Sequence, residues 1–244
     1  MKPKISVITV SYNSEKTIAE TIESVLNQTY DKYDYLIVDG KSSDKTVEIA
    51  ENYRQRFADK GISYRVISEP DKGIYDAMNK GIAATDGEIV GIINSDDYYN
   101  PDTLEKVAAF YAETAFDVMY GDLRIFGEGK EYVKRASLDK KFTTRHWNHP
   151  TTFVTRKVYN DVVYACESIY DDLNFMLTVR AKGYTIRVLN EVLANFRLGG
   201  ISNKKSWKKC RERIRLRNEI YRKNGCKGYR LDNFVTEVAK YILS

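Results

Sequence analysis

Over its first hundred residues the chain alternates compact apolar runs with segments of helical periodicity, and nothing else in the sequence restricts the fold as strongly. KISVITV (4–10), YLIVD (35–39), residues 62–67 and residues 88–93 read as strands. Between them lie helix patterns at Glu15 to Gln28, Asp44 to Phe57 and Tyr75 to Ala84, and another follows from Asn100-Pro101 to about Ala112. In the first helix Ile18, Ile22, Val25 and Leu26 recur at helical spacing, with Asn13 or Ser14 as a cap. Asp44 is read as the cap of the second helix, and Asn100 with Pro101 as the start of the fourth. Strands separated by helices of this length predict an α/β fold: a mostly parallel sheet covered on both faces.

The second half is less regular. It predicts a strand at 117–122, a hairpin over 123–136 around Gly127 and Gly129, and a strand at 151–155. A helix over Asp171 to Ala181 is ended by Gly183, and a strand follows at 185–189. No apolar run approaches the ~20 residues of a membrane-spanning helix, and no signal peptide is visible at the N-terminus. The three cysteines (Cys166, Cys210, Cys226) have no metal-ligand spacing, and the two histidines (His146, His149) make a multi-histidine metal site an unsuitable reading. Free thiols and a cytoplasmic setting are expected.

In an open parallel sheet, ligands bind beyond the carboxyl ends of the strands. There the sequence gathers Ser11, Tyr12 and Asn13 after the first strand and Asp39 after the second. Glu69, Asp71 and Lys72 follow the third, and Asn94, Asp96 and Asp97 the fourth. Neither G-x-G-x-x-G nor G-x-x-x-x-G-K-[ST] follows the first strand, which argues against a dinucleotide fold and a P-loop enzyme. An adjacent Asp pair ahead of a proline is ordinary turn chemistry when it stands alone. At a buried strand end, however, a hard cation such as Mg²⁺ or Mn²⁺ relieves the repulsion of Asp96 and Asp97. The second carboxylate is then free to accept from a ribose hydroxyl.

Three stretches in this order, ISVITVSYNSEKTIAETIESVLNQTY, LIVDGKSSDKT and SEPDKGIYDAMNKGIAATDGEIVGIINSDDYY, resemble the family 2 glycosyltransferases of the GT-A fold. The bacterial enzymes that build exopolysaccharide, capsule or O-antigen are the nearest in character. The likeness covers residues 4 to about 100 closely and extends loosely to about 202. It implies that Thr9 and Ser11 line a nucleotide pocket, that Asp39 contacts the base, and that Asp71 and Lys72 lie along the nucleotide. It implies further that Asp96 meets the ribose and that Asp97 holds Mn²⁺ or Mg²⁺, with SDD standing for the family's DXD signature. Lys41 departs from the pattern, which usually has a small residue there.

The family carries an acidic motif about a dozen residues before a Gly-Tyr. ESIYDDLNFMLTVRAKGY supplies Asp171-Asp172 ahead of Gly183-Tyr184, so the resemblance makes Asp172 the catalytic base. HPTTFVTRKVY (149–159) and FRLGGIS (196–202) also look like family segments and bring His149, Arg197 and Ser202, together with Asp171, toward the acceptor or the diphosphate. No GGFDE segment follows Tyr159. The implied reaction is inverting transfer of a sugar from a nucleotide-diphosphate sugar to a hydroxyl of a saccharide or polyprenyl-diphosphate-linked acceptor. A sugar-nucleotide nucleotidyltransferase and a non-catalytic nucleotide- or membrane-binding module are the alternatives.

Residues 1–203 are expected to form the GT-A unit, with 1–100 as its nucleotide half and 101–203 as its acceptor half, and 204–244 a basic helical extension. Lys204 to Arg230 hold twelve basic residues against Glu212 and Glu219, a net +10 in a chain of net +5, so the remainder carries −5. A helix packing Trp207 and Ile214 on the body is the plain reading of this tail. Peripheral contact with an anionic membrane on its inner face is the other, and nucleic acid is not expected.

Overall fold

The computed structural model describes residues 2–138, 142–199 and 206–243, apart from the side chains of residues 240, 242 and 243. Four parallel strands form its first half: β1 (Ile5–Ser11), β2 (Tyr33–Asp39), β3 (Ser63–Ser68) and β4 (Ile89–Asn94), in the order β3-β2-β1-β4. Side chains alternate across the sheet, and both faces are buried along β1, β2 and β4, while the edge strand β3 is partly exposed. Ile5 and Val7 of β1 and Tyr35 and Ile37 of β2 pack under α1 (Ile18–Leu26), α2 (Thr46–Glu51) and α3 (Arg54–Asp59). Ile8 and Val10 with Leu36 and Val38 pack under α4 (Ile74–Ala83) on the other face. This double covering is why the strands read as apolar runs.

The sheet continues as β8 (Phe153–Thr155), β6 (Val118–Gly127), β9 (Ile186–Arg197) and β5 (Tyr98–Tyr99), with β7 (Lys130–Lys134) hairpinned onto β6. β8 runs antiparallel to β4 and β6, whereas β6 and β9 are parallel. The acceptor-side half is therefore mixed, as expected from its irregular pattern. α5 (Thr103–Thr114), α6 (Arg156–Tyr159) and α7 (Asp171–Ala181) complete it. α7 ends at Gly183, whose φ of 79° is left-handed and suits glycine.

Several boundaries differ from the sequence reading. Asn13 has φ 49°, so it cannot sit at a helix start, and α1 begins at Ile18 with neither Asn13 nor Ser14 as its cap. The expected helix 44–57 is two short helices. Asp44 does serve the first of them, accepting the Thr46 N–H at 3.0 Å. Asn100 does not cap α5: its amide donates to Val192 O at 2.8 Å, tying it to β9, and the helix starts at Thr103. The strand placed at 151–155 begins as a 3₁₀ turn over His149–Thr151. The strand placed at 185–189 runs on to Arg197, and β5 has too few residues to leave a pattern.

The tail forms α8 (Trp207–Lys223), capped by the Ser206 hydroxyl, and α9 (Arg230–Leu243). Of the stripe Trp207, Cys210, Ile214 and Tyr221, only Cys210 and Tyr221 are buried. Trp207 is 48% exposed and packs edge-to-face on Tyr241 of α9 instead of on the body. The anchor is an ion pair that periodicity of apolar residues cannot reveal. Arg217 and Glu237, both almost fully buried, meet at 2.8 Å, while Arg217 also donates to Thr144 Oγ1 and Tyr170 Oη donates to Glu237 at 3.2 Å. Tyr221 stacks on Tyr229 and donates to Phe142 O. The three cysteines are free, and among the described residues no helix is long and apolar enough to cross a membrane.

A buried ion pair is costly to break from one side, because the remaining charge has no water. Arg217→Ala is expected to lower unfolding free energy by about 3–5 kcal/mol, measured by urea denaturation. The double variant Arg217→Met/Glu237→Leu is expected to lose less than Arg217→Ala alone.

Candidate active site

β1 lies between β2 and β4, the point at which the chain order reverses and a crevice opens outside the carboxyl ends of the strands. Ser11, Asp39 and Ser68 stand side by side in register there, and Val10 faces Asn94. Asp39 is fully buried and accepts from Ser11 Oγ at 3.1 Å, Ser68 Oγ at 2.7 Å, the Ser42 N–H at 2.8 Å and the Ser42 hydroxyl. Four donors on one carboxylate make it the fixed point of this end of the rim. Thr9 sits lower. Its side chain is fully buried, and its Oγ1 accepts from Tyr35 Oη at 2.9 Å, so it supports the rim from the core and does not line it.

Asp71 crosses over Gly40: a Cβ at Gly40 would come 2.5 Å from Asp71 Oδ2, so a larger residue would push this carboxylate aside. Asp71 Oδ1 accepts the Gly73 N–H at 2.8 Å. Lys72 is exposed, and its N–H donates to Asp76 at 3.0 Å. Lys41 has φ 61°, a left-handed backbone, which accounts for the small residue usual at that position. Beside Gly40 lies Tyr12, 63% exposed, an aromatic face on the rim.

At β4 the Asn94–Asp97 loop is held from below by α1 and the loop before it. Ser14 and Ser95 hydroxyls meet at 2.7 Å, and Thr21 Oγ1 donates to the Asp97 carbonyl at 2.6 Å. Asp96 is half-buried, and burial raises its carboxyl above the usual range. Asp97 is fully buried, and its carboxyl is pushed well up, by burial first and then by the neighbouring charge of Asp96. One oxygen, Oδ1, accepts the Arg197 N–H at 3.1 Å. The other, Oδ2, has no hydrogen-bond partner, and neither has the buried Oδ1 of Asn94.

Two bare buried oxygens beside a second carboxylate can donate to a hard cation. Among the described residues no group of three His, Cys, Asp or Glu comes together to hold a metal. A cation here would therefore draw its remaining ligands from substrate phosphates and water. Arg197 hydrogen-bonds this site through its backbone, and its charge works against the rise at Asp96 and Asp97. Its guanidinium pairs with Glu20 and lies 4.8 Å over the Phe126 ring.

Asp172 occupies the first turn of α7, half-buried. Its charge acts on Tyr75, His149 and Tyr164, which gather about it. Tyr75, at the start of α4, stacks on Tyr164 at 5.4 Å and donates to Ile169 O, so the segment that carries Asp71 and Lys72 also braces the approach to Asp172. His149 Nε2 lies 3.3 Å from Tyr164 Oη, and burial holds its imidazole below the usual histidine value. Asp171 is buried and accepts the Glu167 N–H at 2.7 Å. It shapes the loop before α7, which corrects its placement toward an acceptor. Ser202 lies outside the described residues.

Tyr12 and Asn94, which the sequence places on the rim without an individual role, belong to these two clusters, as do Tyr75 and Tyr164, which the sequence does not single out. Tyr75 and Tyr164 are joined only by the fold.

The profile described as Glycosyl transferase family 2 matches residues 6–169. TuaG of Bacillus subtilis (strain 168), a glycosyltransferase named for teichuronic acid biosynthesis, is 30% identical over 230 residues, 91% of this chain and 90% of that protein. A PGL/p-HBAD biosynthesis glycosyltransferase of Mycobacterium tuberculosis is 29% identical over 162 residues, 66% of this chain. The match spans 62% of the length of that relative. Among solved structures, the UDP complex of S. aureus TarS 1-349 aligns at 26% identity with a TM-score of 0.67 over 80% of this chain and 61% of that one. A mannosyltransferase of Pyrobaculum calidifontis, solved with GDP-Man and Mn²⁺, shares the fold at 16% identity, with a TM-score of 0.69 over 98% of this chain and 74% of that one. These likenesses make the architecture a GT-A fold, and the profile covers more than half of the residues: the chain belongs to glycosyl transferase family 2.

Proposed function

We propose that the protein is an inverting glycosyltransferase of bacterial surface polysaccharide synthesis. It moves a sugar from a nucleotide-diphosphate sugar to a hydroxyl of a saccharide or polyprenyl-diphosphate-linked acceptor. The observation that carries this reading is the bare Oδ2 of fully buried Asp97, beside Asp96 and across the crevice from Asp39. The relatives named for polysaccharide and glycolipid synthesis support the donor and acceptor classes. Membership of the family sets the nucleotidyltransferase alternative aside. The free thiols favour a cytoplasmic setting.

In this reading Tyr12 receives the base at the rim that Asp39 fixes through Ser11, Ser42 and Ser68, a base donor reaching Asp39 only by displacing one of these serines, while Ser11 and the Asp71-Lys72 segment flank the nucleotide and Asp96 accepts from the ribose. Asp97 and Asn94 would hold Mn²⁺ or Mg²⁺ against the diphosphate. Such a cation, when bound, would supply positive charge against the negative charge that develops on the leaving nucleoside diphosphate. Asp172 accepts a hydrogen bond from the acceptor hydroxyl and takes its proton as the oxygen bonds to the anomeric carbon. The bond from that carbon to the diphosphate oxygen breaks on the opposite side, and one displacement inverts the centre. The neutral imidazole of His149 stands next to Asp172 without competing for its charge.

Two outcomes test this. With Mn²⁺ present, Asp97→Ala is expected to weaken binding of a UDP, GDP or dTDP sugar by more than about tenfold, or about 1.4 kcal/mol. Without metal, the raised carboxyl of Asp97 means that the fold binds a proton more tightly than the unfolded chain, whose carboxyl titrates near ~3.9. Its contribution therefore falls as pH rises from that value through the folded one. Metal-free Asp97→Asn should melt above the parent at neutral pH and lose that advantage in acid, while Mn²⁺ should raise the melting temperature of the parent alone. Equal Mn²⁺ shifts in both proteins would remove the metal assignment.

The second outcome concerns the base. Asp172→Asn is expected to keep donor affinity and to lower kcat by about 10²–10⁴-fold, read by isothermal titration and by product formation. Undiminished turnover in this variant would exclude Asp172 as the base.

A further inference from the structure

A groove of about 940 Å³ opens between α8 and α9, away from the rim residues. Its floor includes Ile214, Tyr229 and Phe234, and Arg211, Arg215 and Arg230 stand around it. α9, which the sequence reading places in a helical extension without delimiting it, continues this surface. Leu231, Phe234, Val235 and Tyr241 follow helical spacing along one side, and all are exposed, Leu231 to 72%. Trp207 closes the far end against Tyr241. Lys208, Lys209, Arg211, Arg215 and Arg222 are exposed on the adjoining helix. Among the described residues nothing covers this stripe of exposed aliphatic and aromatic side chains bordered by cations.

We propose that this outer face of the α8–α9 hairpin docks on an anionic lipid bilayer. Charge complementarity selects that occupant. From Ser206 to Arg230 ten Lys and Arg residues stand against Glu212 and Glu219, and only Arg217 is buried with a partner. Leu231, Phe234 and Val235 would enter the boundary between headgroups and acyl chains, while the arginines meet lipid phosphates. A nucleic acid would satisfy the cations but leave Leu231 and Val235 in water. A second copy of the chain would set one cationic face against another. The inner face of the same hairpin holds the segment that leads to Asp172: Glu237 accepts from Tyr170, Lys223 pairs with Glu167, and the Arg217 guanidinium lies over the Tyr170 ring. Docking would therefore bring the acceptor side of the molecule to the membrane surface.

The test is sedimentation of the full chain with equimolar phosphatidylglycerol–phosphatidylcholine vesicles and with pure phosphatidylcholine vesicles. Binding is expected to the anionic vesicles and not to the neutral ones, and it should weaken as salt rises. Arg211→Gln/Arg215→Gln is expected to weaken it by roughly twentyfold or more. Leu231→Ser/Phe234→Ser changes no charge and is also expected to weaken it by at least about tenfold. Both variants alter exposed side chains, and unchanged melting curves would show that they fold. The proposal is overturned if the parent ignores anionic vesicles, or if the serine variant binds them as tightly as the parent. It is equally overturned if the vesicles are ignored while single-stranded RNA binds through the arginines, or while Leu231 and Phe234 hold a dimer in solution.

Discussion

Asp97 is held fully buried at the end of β4, with its carboxylate satisfied on one side only. Thr21 and Asn94 fix its backbone, the Arg197 N–H takes one carboxylate oxygen, and the second oxygen is buried and bare. Leaving a buried polar atom without a partner ordinarily costs about 1–3 kcal/mol, and a charged neighbour one residue away makes ionisation harder still. The rest of the molecule supplies the means to tolerate this. α1 grips the loop from beneath, β4 is locked between β1 and β8, and β9 comes from far along the chain to deliver a single backbone donor.

That dependence explains the division of the sheet. β1 to β4 need only short βα connections and form a rigid parallel core, so the donor rim is preassembled by register: Ser11, Asp39 and Ser68 are neighbours because their strands are. β5, β6, β8 and β9 mix directions, which lets the chain bring Arg197 beside Asp97 and His149 beside β4. The acceptor cluster is thus assembled from pieces with little sequence proximity.

The same distinction decides what could be read from the sequence. Strands covered on both faces leave continuous apolar runs, so β1, β2 and β4 and the polar residues at their ends were legible, and with them Asp39, Asp96 and Asp97. Helix starts were less so. Asn13, Asn100 and Asp171 are all residue types that cap helices, yet each is used otherwise, in a left-handed turn, a tie to β9 and a brace for the loop at Glu167. Thr9 shows the limit of carrying a role from a strand end inward: two residues in from Ser11, and the side chain belongs to the core under Tyr35. Tyr75 and Tyr164 meet across almost ninety positions, and no local pattern could pair them.

The basic tail follows the same logic in reverse. Its charge was obvious, but its attachment was not, because the contact that fixes it is an arginine buried against a glutamate. Replacing such a pair by apolar residues is often neutral or stabilising, so a tail needed only for packing has simpler solutions than Arg217–Glu237. What the pair adds is direction: a planar guanidinium with fixed donors sets α8 against Thr144, Tyr170 and α9 in one orientation. Orientation matters for a hairpin whose inner face touches the loop leading to Asp172 and whose outer face is apolar and cationic. A slip along α8 would move both faces together.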